Sequence, residues 1–474
     1  MTDPGSDRPP DPIALLTSRA YVVLLVFAAA VGLVVSLASW CFLELVHQAQ
    51  QGVFTDLPGD LGYHNGAPDW WYLVVLGLAG VITAFAIARL PGRGGHIPAF
   101  GLAAGGTPNP ITLPGMLLAA LATLCLGLVL GPEAPLIALG GGLGVLAIRS
   151  VRRDAPDQTL AVVAAAGSFA AISFIFDSPL IAAVLLIEAT GLGGPKLPVI
   201  LLPGLLAAGI GSLVSIGMGA WTGLSTSAYA LGALPVPDYP RPTFTALLWT
   251  FPLAAAVAVG TFGIVWLARG AVPIAARRPF LVTPAAGLVV AALAILFAAT
   301  TDKGASEVLF SGQDALPGLV SGAATWSVGA LLLLLLFKGL AWSVSLGTFR
   351  GGPTFPAMFL GGAAGVAMSH LPGMALTPGV AVGIGAGIAC MLRLPLSAVL
   401  IAVVLTSATG IGASPLVVVG VVVAYLTTLL LSRVTGLDAR GRETEAEPHD
   451  GERPAAASRS DAAVPADQPS VPSA

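Results

Sequence analysis

Gly131-Pro-Glu-Ala-Pro-Leu-Ile-Ala-Leu-Gly-Gly-Gly-Leu-Gly-Val145 aligns without a gap on Gly352-Pro-Thr-Phe-Pro-Ala-Met-Phe-Leu-Gly-Gly-Ala-Ala-Gly-Val366. Gly131/Gly352, Pro132/Pro353, Pro135/Pro356, Leu139/Leu360, Gly140/Gly361, Gly141/Gly362, Gly144/Gly365 and Val145/Val366 are identical pairs. A second correspondence follows in each half. Phe176-Asp-Ser-Pro-Leu180 and Leu392-Arg-Leu-Pro-Leu396 both lead into an apolar helix that ends Ala-Thr-Gly, at 189–191 and 408–410. Two matches in the same order argue for an internal repeat rather than a coincidence of glycine-rich segments. The halves read as 19–218 and 244–432, joined by a linker at 219–243 and flanked by a short arm, 1–18, and a tail, 433–474. Paired halves of this kind place a shared site between them near the middle of a bilayer.

The bilayer itself follows from composition. Of 474 residues, 56% are hydrophobic and 9% charged, and mean hydropathy is +0.90. Soluble domains carry roughly 25% charged residues, and a soluble fold of this length has no other means of covering its surface. Lipid removes the requirement, provided the backbone satisfies its own hydrogen bonds in helices. Fold class is therefore an all-α polytopic membrane protein in the cell membrane. Runs long enough to span lie at about 20–46, 71–90, 111–130, 159–190, 197–218, 244–268, 281–300, 325–347, 375–391 and 395–432. Those that exceed one span, or are broken by Gly and Pro, predict paired or interrupted helices around a buried or watery cavity.

Lys and Arg in short loops set the orientation. Arg89 and Arg93, Arg149, Arg152 and Arg153, Arg269, Arg277 and Arg278, and Arg433, Arg440 and Arg442 mark the cytoplasmic side. Loop 47–70, with Asp56, Asp60 and Asp69 and no Lys or Arg, reads as external, as does 219–243. The arm is unlike a secretory signal, so the first apolar run is expected to be retained. The tail, rich in Ala, Pro, Glu and Asp, is expected to be a disordered cytoplasmic segment. A net charge of −3 gives no basic field for nucleic acid. Cys41, Cys125 and Cys390 lie in apolar runs and read as buried hydrophobes, without metal-ligand spacing. Neither a metal nor a cofactor is called for.

Each Gly-Pro-x-x-Pro element is a helix start. Proline suits the first turn, where its missing N–H has no partner anyway, and the glycines let backbone approach closely. A helix N-terminus presents about half a positive charge and orphan N–H donors, so two of them facing one another form an anion site. Glu133 sits in the first turn of one. Burying a carboxylate at membrane depth costs roughly 2.5 kcal/mol or more, whereas complementing a helix dipole returns about 0.3–1 kcal/mol. The excess points to a functional acid: a tethered anion that occupies the site and leaves when protonated or displaced.

These motifs resemble those of the CLC family of chloride channels and chloride–proton antiporters. Gly127-Leu-Val-Leu-Gly-Pro-Glu-Ala-Pro135 is similar to the family's G-[KR]-E-G-P element, Gly94-Gly-His-Ile-Pro98 to its G-S-G-I-P element, and Gly351-Gly-Pro-Thr-Phe-Pro356 to its G-x-F-x-P element. Phe176-Asp-Ser-Pro-Leu180 with the helix to Glu188 resembles the segment ending in paired glutamates. Lys338 through Gly347 resembles the run before the third motif. The resemblance covers about 20–432. It implies two inverted repeats of tilted and broken helices, a homodimer with one pore per subunit, chloride or another small anion as cargo, and protons as a second partner if transport is coupled. Glu133 then corresponds to the family's external gate, and Gly95, His96, Gly131, Ala134, Gly352, Thr354 and Phe355 to its anion-binding positions.

Several positions depart from the pattern. Pro132 and Ala134 replace the residues flanking the gate. The central serine falls on Gly95, leaving His96 as a neighbouring donor or as a packed or capping histidine. The third motif's phenylalanine falls on Thr354, whose hydroxyl either replaces the N–H that Pro353 lacks or satisfies its own helix end. The internal proton glutamate falls on Ala189, so Glu188 is a candidate secondary acid, either a structural acid with a buried partner or a shifted relay. The central tyrosine's place holds Leu437-Asp-Ala-Arg440, and Tyr425 reads as an interface or packing residue. Lys338 and Arg350 either raise the local positive potential or snorkel to the interface. Arg393 marks a cytoplasmic helix end, and Asp302, Glu307 and Asp314 read as external loop charges. A gated anion pore, channel-like in mode, is the favoured reading, and a proton-coupled antiporter of chloride or fluoride is the alternative. An intramembrane hydrolase lacks its machinery, with no G-x-S-G run, no H-E-x-x-H and five dispersed histidines.

Overall fold

The computed structural model describes residues 16–64, 66–102, 106–191, 193–194, 197–224, 231–407 and 412–436. The arm up to residue 15, the second Ala-Thr-Gly, Leu437-Asp-Ala-Arg440 and the tail from 437 lie outside the described residues. Among the described residues, nine helices are long and apolar enough to cross a bilayer. Their outward faces carry exposed Val23, Val26, Leu33, Phe85, Phe251, Leu281 and Leu336, as lipid contact requires.

The first repeat runs α1 (Arg19–Gln51), α2 (Leu57–Asp60), α3 (Asp69–Arg89), α4 (Leu113–Cys125), α5 (Glu133–Val151), α6 (Asp157–Phe176), α7 (Pro179–Thr190) and α8 (Leu197–Thr222). The second runs α9 (Phe244–Arg277), α10 (Pro279–Thr300), α11 (Ala315–Ser321), α12 (Val328–Thr348), α13 (Thr354–Ser369), α14 (Leu376–Leu392), α15 (Pro395–Leu405) and α16 (Ser414–Thr435). The long run 159–190 breaks at Asp177, which takes a left-handed conformation as the C-cap of α6. Run 395–432 likewise divides into α15 and α16.

Two expectations need correction. Residues 47–60 are helical: α1 continues to Gln51, through a π turn at Gly52–Asp56, into α2. Its polar residues mislead because this end of the helix projects among other outer segments instead of lipid. Run 111–130 is not one span either, since α4 stops at Cys125. Gly127, at φ +90°, turns the chain into an extended segment.

Repeat symmetry is visible in the packing. Gly140 and Gly144 of α5 lie against the carbonyls of Gly167 and Val163 on α6, while Gly361 and Gly365 of α13 lie against those of Gly383 and Gly379 on α14. A β-carbon at any of the four would overlap backbone. The small-xxx-small spacing is what allows helices to pack without a hydrophobic drive between them. Across the repeats, Gly80 of α3 and Gly287 of α10 give the same close approach, to Pro284 and to the Leu76 carbonyl. Both short helices α5 and α13 are thereby held inside the bundle, with their N-termini at its centre.

Candidate functional site: the facing helix starts

Two extended segments lead to the centre. Leu128, Val129 and Leu130 are buried, and they are tied to the other half by Phe310 N–H donating to the Gly127 carbonyl at 3.1 Å and Val129 N–H to Ser345 Oγ at 3.3 Å. From the second repeat, Phe349 and Arg350 come in buried. Arg350 donates from its amide to Thr123 Oγ1 at 3.5 Å and from Nη1 to the Phe349 carbonyl at 3.0 Å. The segments join at an isolated antiparallel bridge between Gly131 and Gly352. The bridge is closed by Gly131 N–H to Gly352 O at 2.7 Å and Gly352 N–H to Gly131 O at 2.6 Å. The two aligned glycines of the repeat are thus in contact, and α5 and α13 start two residues beyond them.

Glu133 is completely buried. Its Oε1 accepts a hydrogen bond from the Thr354 backbone N–H, the first residue of α13, and the Phe355 N–H also faces the carboxylate. The acid of one repeat therefore sits on the helix N-terminus of the other, where orphan donors and dipole both favour negative charge. Its Oε2 is buried without an aligned partner, as is Thr354 Oγ1 beside it. Thr354's hydroxyl does not satisfy its own helix end; it remains available in the seat. Gly131 and Gly352 are needed here for space, because a β-carbon on either would run into the Glu133 carboxyl group. Pro132 and Pro353, both in right-handed helical conformation, occupy the N-cap positions. Ala134 follows Glu133 on α5, half-buried.

Phe355 is buried and its ring stacks on Phe176 at 5.3 Å, interplanar angle 15°. That contact brings the first repeat's second motif to the seat. Gly95 and His96 lie in the loop before α4, where the neighbouring Gly94 packs against Arg350 of the segment leading to Gly352. Gly95, at φ +91°, lies against Met116 of α4, and His96 Nε2 lies 3.2 Å from the Gly101 carbonyl in its own loop. The same loop is anchored to α9 by Arg269, whose Nε donates to the Ala99 carbonyl at 3.1 Å with its guanidinium 5.3 Å from the Phe100 ring centre. Gly131, Glu133, Gly352, Thr354 and Phe355 form one cluster, and the Gly94–Gly101 loop is held by Met116 of α4, Arg350 and Arg269 of α9.

A second carboxylate repeats the arrangement. Glu188, near the end of α7, accepts from Leu396 N–H at 2.9 Å, Ser397 N–H at 2.7 Å and Ser397 Oγ at 2.6 Å. These are the first-turn donors of α15. Glu188 thus has its partner at the start of α15.

Lys338 does not snorkel. It is fully buried in α12, and Nζ donates to the carbonyls of Glu307 at 2.9 Å, Val308 at 3.3 Å and Leu309 at 2.7 Å. The ammonium also lies 4.5 Å from the Phe359 ring centre on α13. All three ammonium protons are used, which is how a charge survives inside the bundle. Arg350 is likewise buried, so the interface reading fails for both cations. The acceptors of Lys338 are backbone atoms, which carry no mark in the sequence. The Phe176–Phe355 stack and the carboxylate–helix contacts join residues far apart in the chain, and only the repeated motifs hinted at them.

A family model described as "Voltage gated chloride channel" matches residues 79–429. Among characterised sequences, "Putative ion-transport protein YfeO" of Escherichia coli O139:H28 (strain E24377A / ETEC) is 30% identical over 365 residues, 75% of this chain and 81% of that protein. Its counterpart in Shigella boydii serotype 18 matches equally. The structure superposes on a slow cyanobacterial Cl−/H+ antiporter with TM-score 0.68 at 20% identity, covering 86% of this chain and 94% of the other. A CLC-type fluoride/proton antiporter gives TM-score 0.65 at 18% identity, with coverage of 86% and 96%.

Proposed function

The chain belongs to the voltage-gated chloride channel family, and from that premise we propose that it conducts chloride or a similar small anion across the cell membrane through a pore gated by Glu133. One observation carries the reading: the Glu133 carboxylate is docked on the N-terminal donors of α13, across the Gly131–Gly352 bridge. A seat that holds a tethered carboxylate has the chemistry to hold a free anion. Protonation removes the charge the seat holds, and a competing anion replaces it; either frees the side chain to swing out. Thr354's unused hydroxyl and the N–H groups of α13 then face the anion, with the Phe355–Phe176 pair as an apolar wall. Two copies of the chain, each with its own pore, are part of the proposal.

Transport is channel-like on this reading, because the position of the family's internal proton acid holds Ala189, and the neighbouring Glu188 is engaged by two amides and one hydroxyl at the start of α15. Purified protein in liposomes, with chloride and fluoride efflux and external pH recorded together, tests the proposal. Glu133→Gln is expected to keep anion flux and to lose pH-dependent gating, the larger part of the acid response. Uphill proton movement driven by a chloride gradient would establish the coupled exchanger instead, and wild-type behaviour of Glu133→Gln would remove Glu133 as the gate.

A further inference from the structure

Immediately outside the gate lies a recess of about 40 Å³, room for a few waters. Its floor is Leu128, Leu130 and Pro132, the residues that lead directly to Glu133. Its polar wall is His47 and Gln50 from the end of α1, and Ser311, Gln313 and Asp314 from the segment between α10 and α11. Sidedness follows from the arginines. Helix α10 leaves the Arg277–Arg278 face and delivers residue 301 and those after it to the opposite, external face, where α1 also ends.

The wall has a charge pattern at odds with an anion path. Neither Lys nor Arg lines it, and Asp314 does. Asp314 is exposed, but into this recess, and the surrounding protein raises its carboxyl above the ordinary carboxylate range by desolvation. The elements packed around it carry the following other charges. Helix α1 contributes His47, with Glu44 one turn earlier held by Gln48. The 127–133 segment contributes Glu133, beneath Pro132. Residues 301–313 contribute Glu307, Lys303 and Asp302, the first two set against Lys338 and Trp326. Helices α11 and α13 have no titratable residue.

We propose that Asp314 makes this recess an outer access site for small anions, a proton-dependent electrostatic filter separate from Glu133. At neutral external pH the carboxylate opposes an anion approaching Pro132. External acid neutralises Asp314, and the same recess then admits the anion. The filter acts from outside only, because the recess lies on one side of the gate. It deepens the anion-conducting reading above and rests on it.

Recordings from whole cells, with external and internal solutions controlled separately, test it. In the otherwise unchanged chain, Asp314→Asn is expected to raise chloride flux from the outside by about two- to fivefold at external pH 7.5, leaving outward-directed flux nearly unaltered. A single charge acting within a Debye length of ~8 Å sets that range, so the effect grows as salt is lowered. In Glu133→Gln, external acidification from pH 8 to 5 is expected still to increase influx. Asp314→Asn added to it abolishes most of that response. Asp314→Asn altering both directions equally, or leaving the residual response of Glu133→Gln intact, overturns the filter. Should Glu133→Gln behave as wild type, the gate assignment falls, while the directional arm with Asp314→Asn alone still decides the filter.

Discussion

Gly352→Ala offers a way to evict Glu133 from its seat without altering its chemistry. The backbone at Gly352 is not left-handed, so alanine suits its conformation. The new methyl group would overlap the Glu133 carboxyl group, and Gly131 on the far side leaves no room for a sideways shift. What is lost is a hydrogen bond to a charged group, about 1.5–3 kcal/mol, and the helix-terminus attraction, about 0.3–1 kcal/mol. Together these hold the carboxylate by about 2–4 kcal/mol, so at 1.4 kcal/mol per factor of ten displacement becomes about thirtyfold to several hundredfold more favourable. The expected phenotype is anion efflux from liposomes that no longer needs acid, with protein that elutes and melts like wild type. Obstruction of the anion by the methyl group is the competing effect, and the double variant with Glu133→Ala separates the two: flux equal to that of Glu133→Ala alone means the path is open. A folded Gly352→Ala protein with wild-type flux and wild-type pH dependence would refute the claim that the seated carboxylate closes the pore.

Three further outcomes follow from named contacts. Lys338→Met leaves the carbonyls of Glu307, Val308 and Leu309 without their donor; a loss of about 3–5 kcal/mol is expected, read as a lower melting temperature in detergent, and an unchanged melting point would deny the clasp its structural role. Glu188→Gln substitutes an amide where two N–H groups and a hydroxyl donate, so about 1–3 kcal/mol of stability should go while relative chloride and fluoride permeability stays the same; abolished flux at unchanged stability would assign Glu188 to transport. Thr354→Ala removes the buried hydroxyl beside Glu133 and is expected to change the chloride-to-fluoride permeability ratio with little effect on stability; an identical ratio means the hydroxyl is no ligand.

The membrane class and the repeat were legible because both are properties of local sequence: apolar runs for the first, the spacing of Gly and Pro for the second. Glu133 was legible for the same reason, since a carboxylate between apolar neighbours at a helix start stands out against the cost of burying it. Its destination was only half legible. The motif shows that α5 and α13 each begin with free donors, but not that Glu133 reaches across to α13. Position 95 was less legible: the contacts of Gly95 and His96 with Met116 and the Gly101 carbonyl belong to a loop, whose path depends on the helices that anchor it. The polar residues His47 and Gln50 read as loop because a spanning helix was expected to end with its apolar run; α1 instead continues past the lipid into the outer wall.

The repeat is most informative where it is broken. Glu133 aligns with Thr354, and Glu188, which precedes the first Ala-Thr-Gly, has Ser407 in the corresponding place. Both acids thus belong to the first repeat. In each case the second repeat supplies the helix start that receives them: α13 for Glu133, α15 for Glu188. A strictly symmetric chain would carry an acid at residue 354 as well, and the Gly131–Gly352 bridge would then hold two carboxylates face to face in a buried space. Like charges so placed do not both ionise, and neither helix start would remain open to a free anion. Confining the acids to one half gives each carboxylate a positive helix end instead of a rival. On the proposed reading it also leaves the α13 donors as a seat for which one tethered charge and one mobile charge compete. Symmetry builds the pair of helix starts, and its local loss at residues 133 and 354 is what gives the proposed site two states.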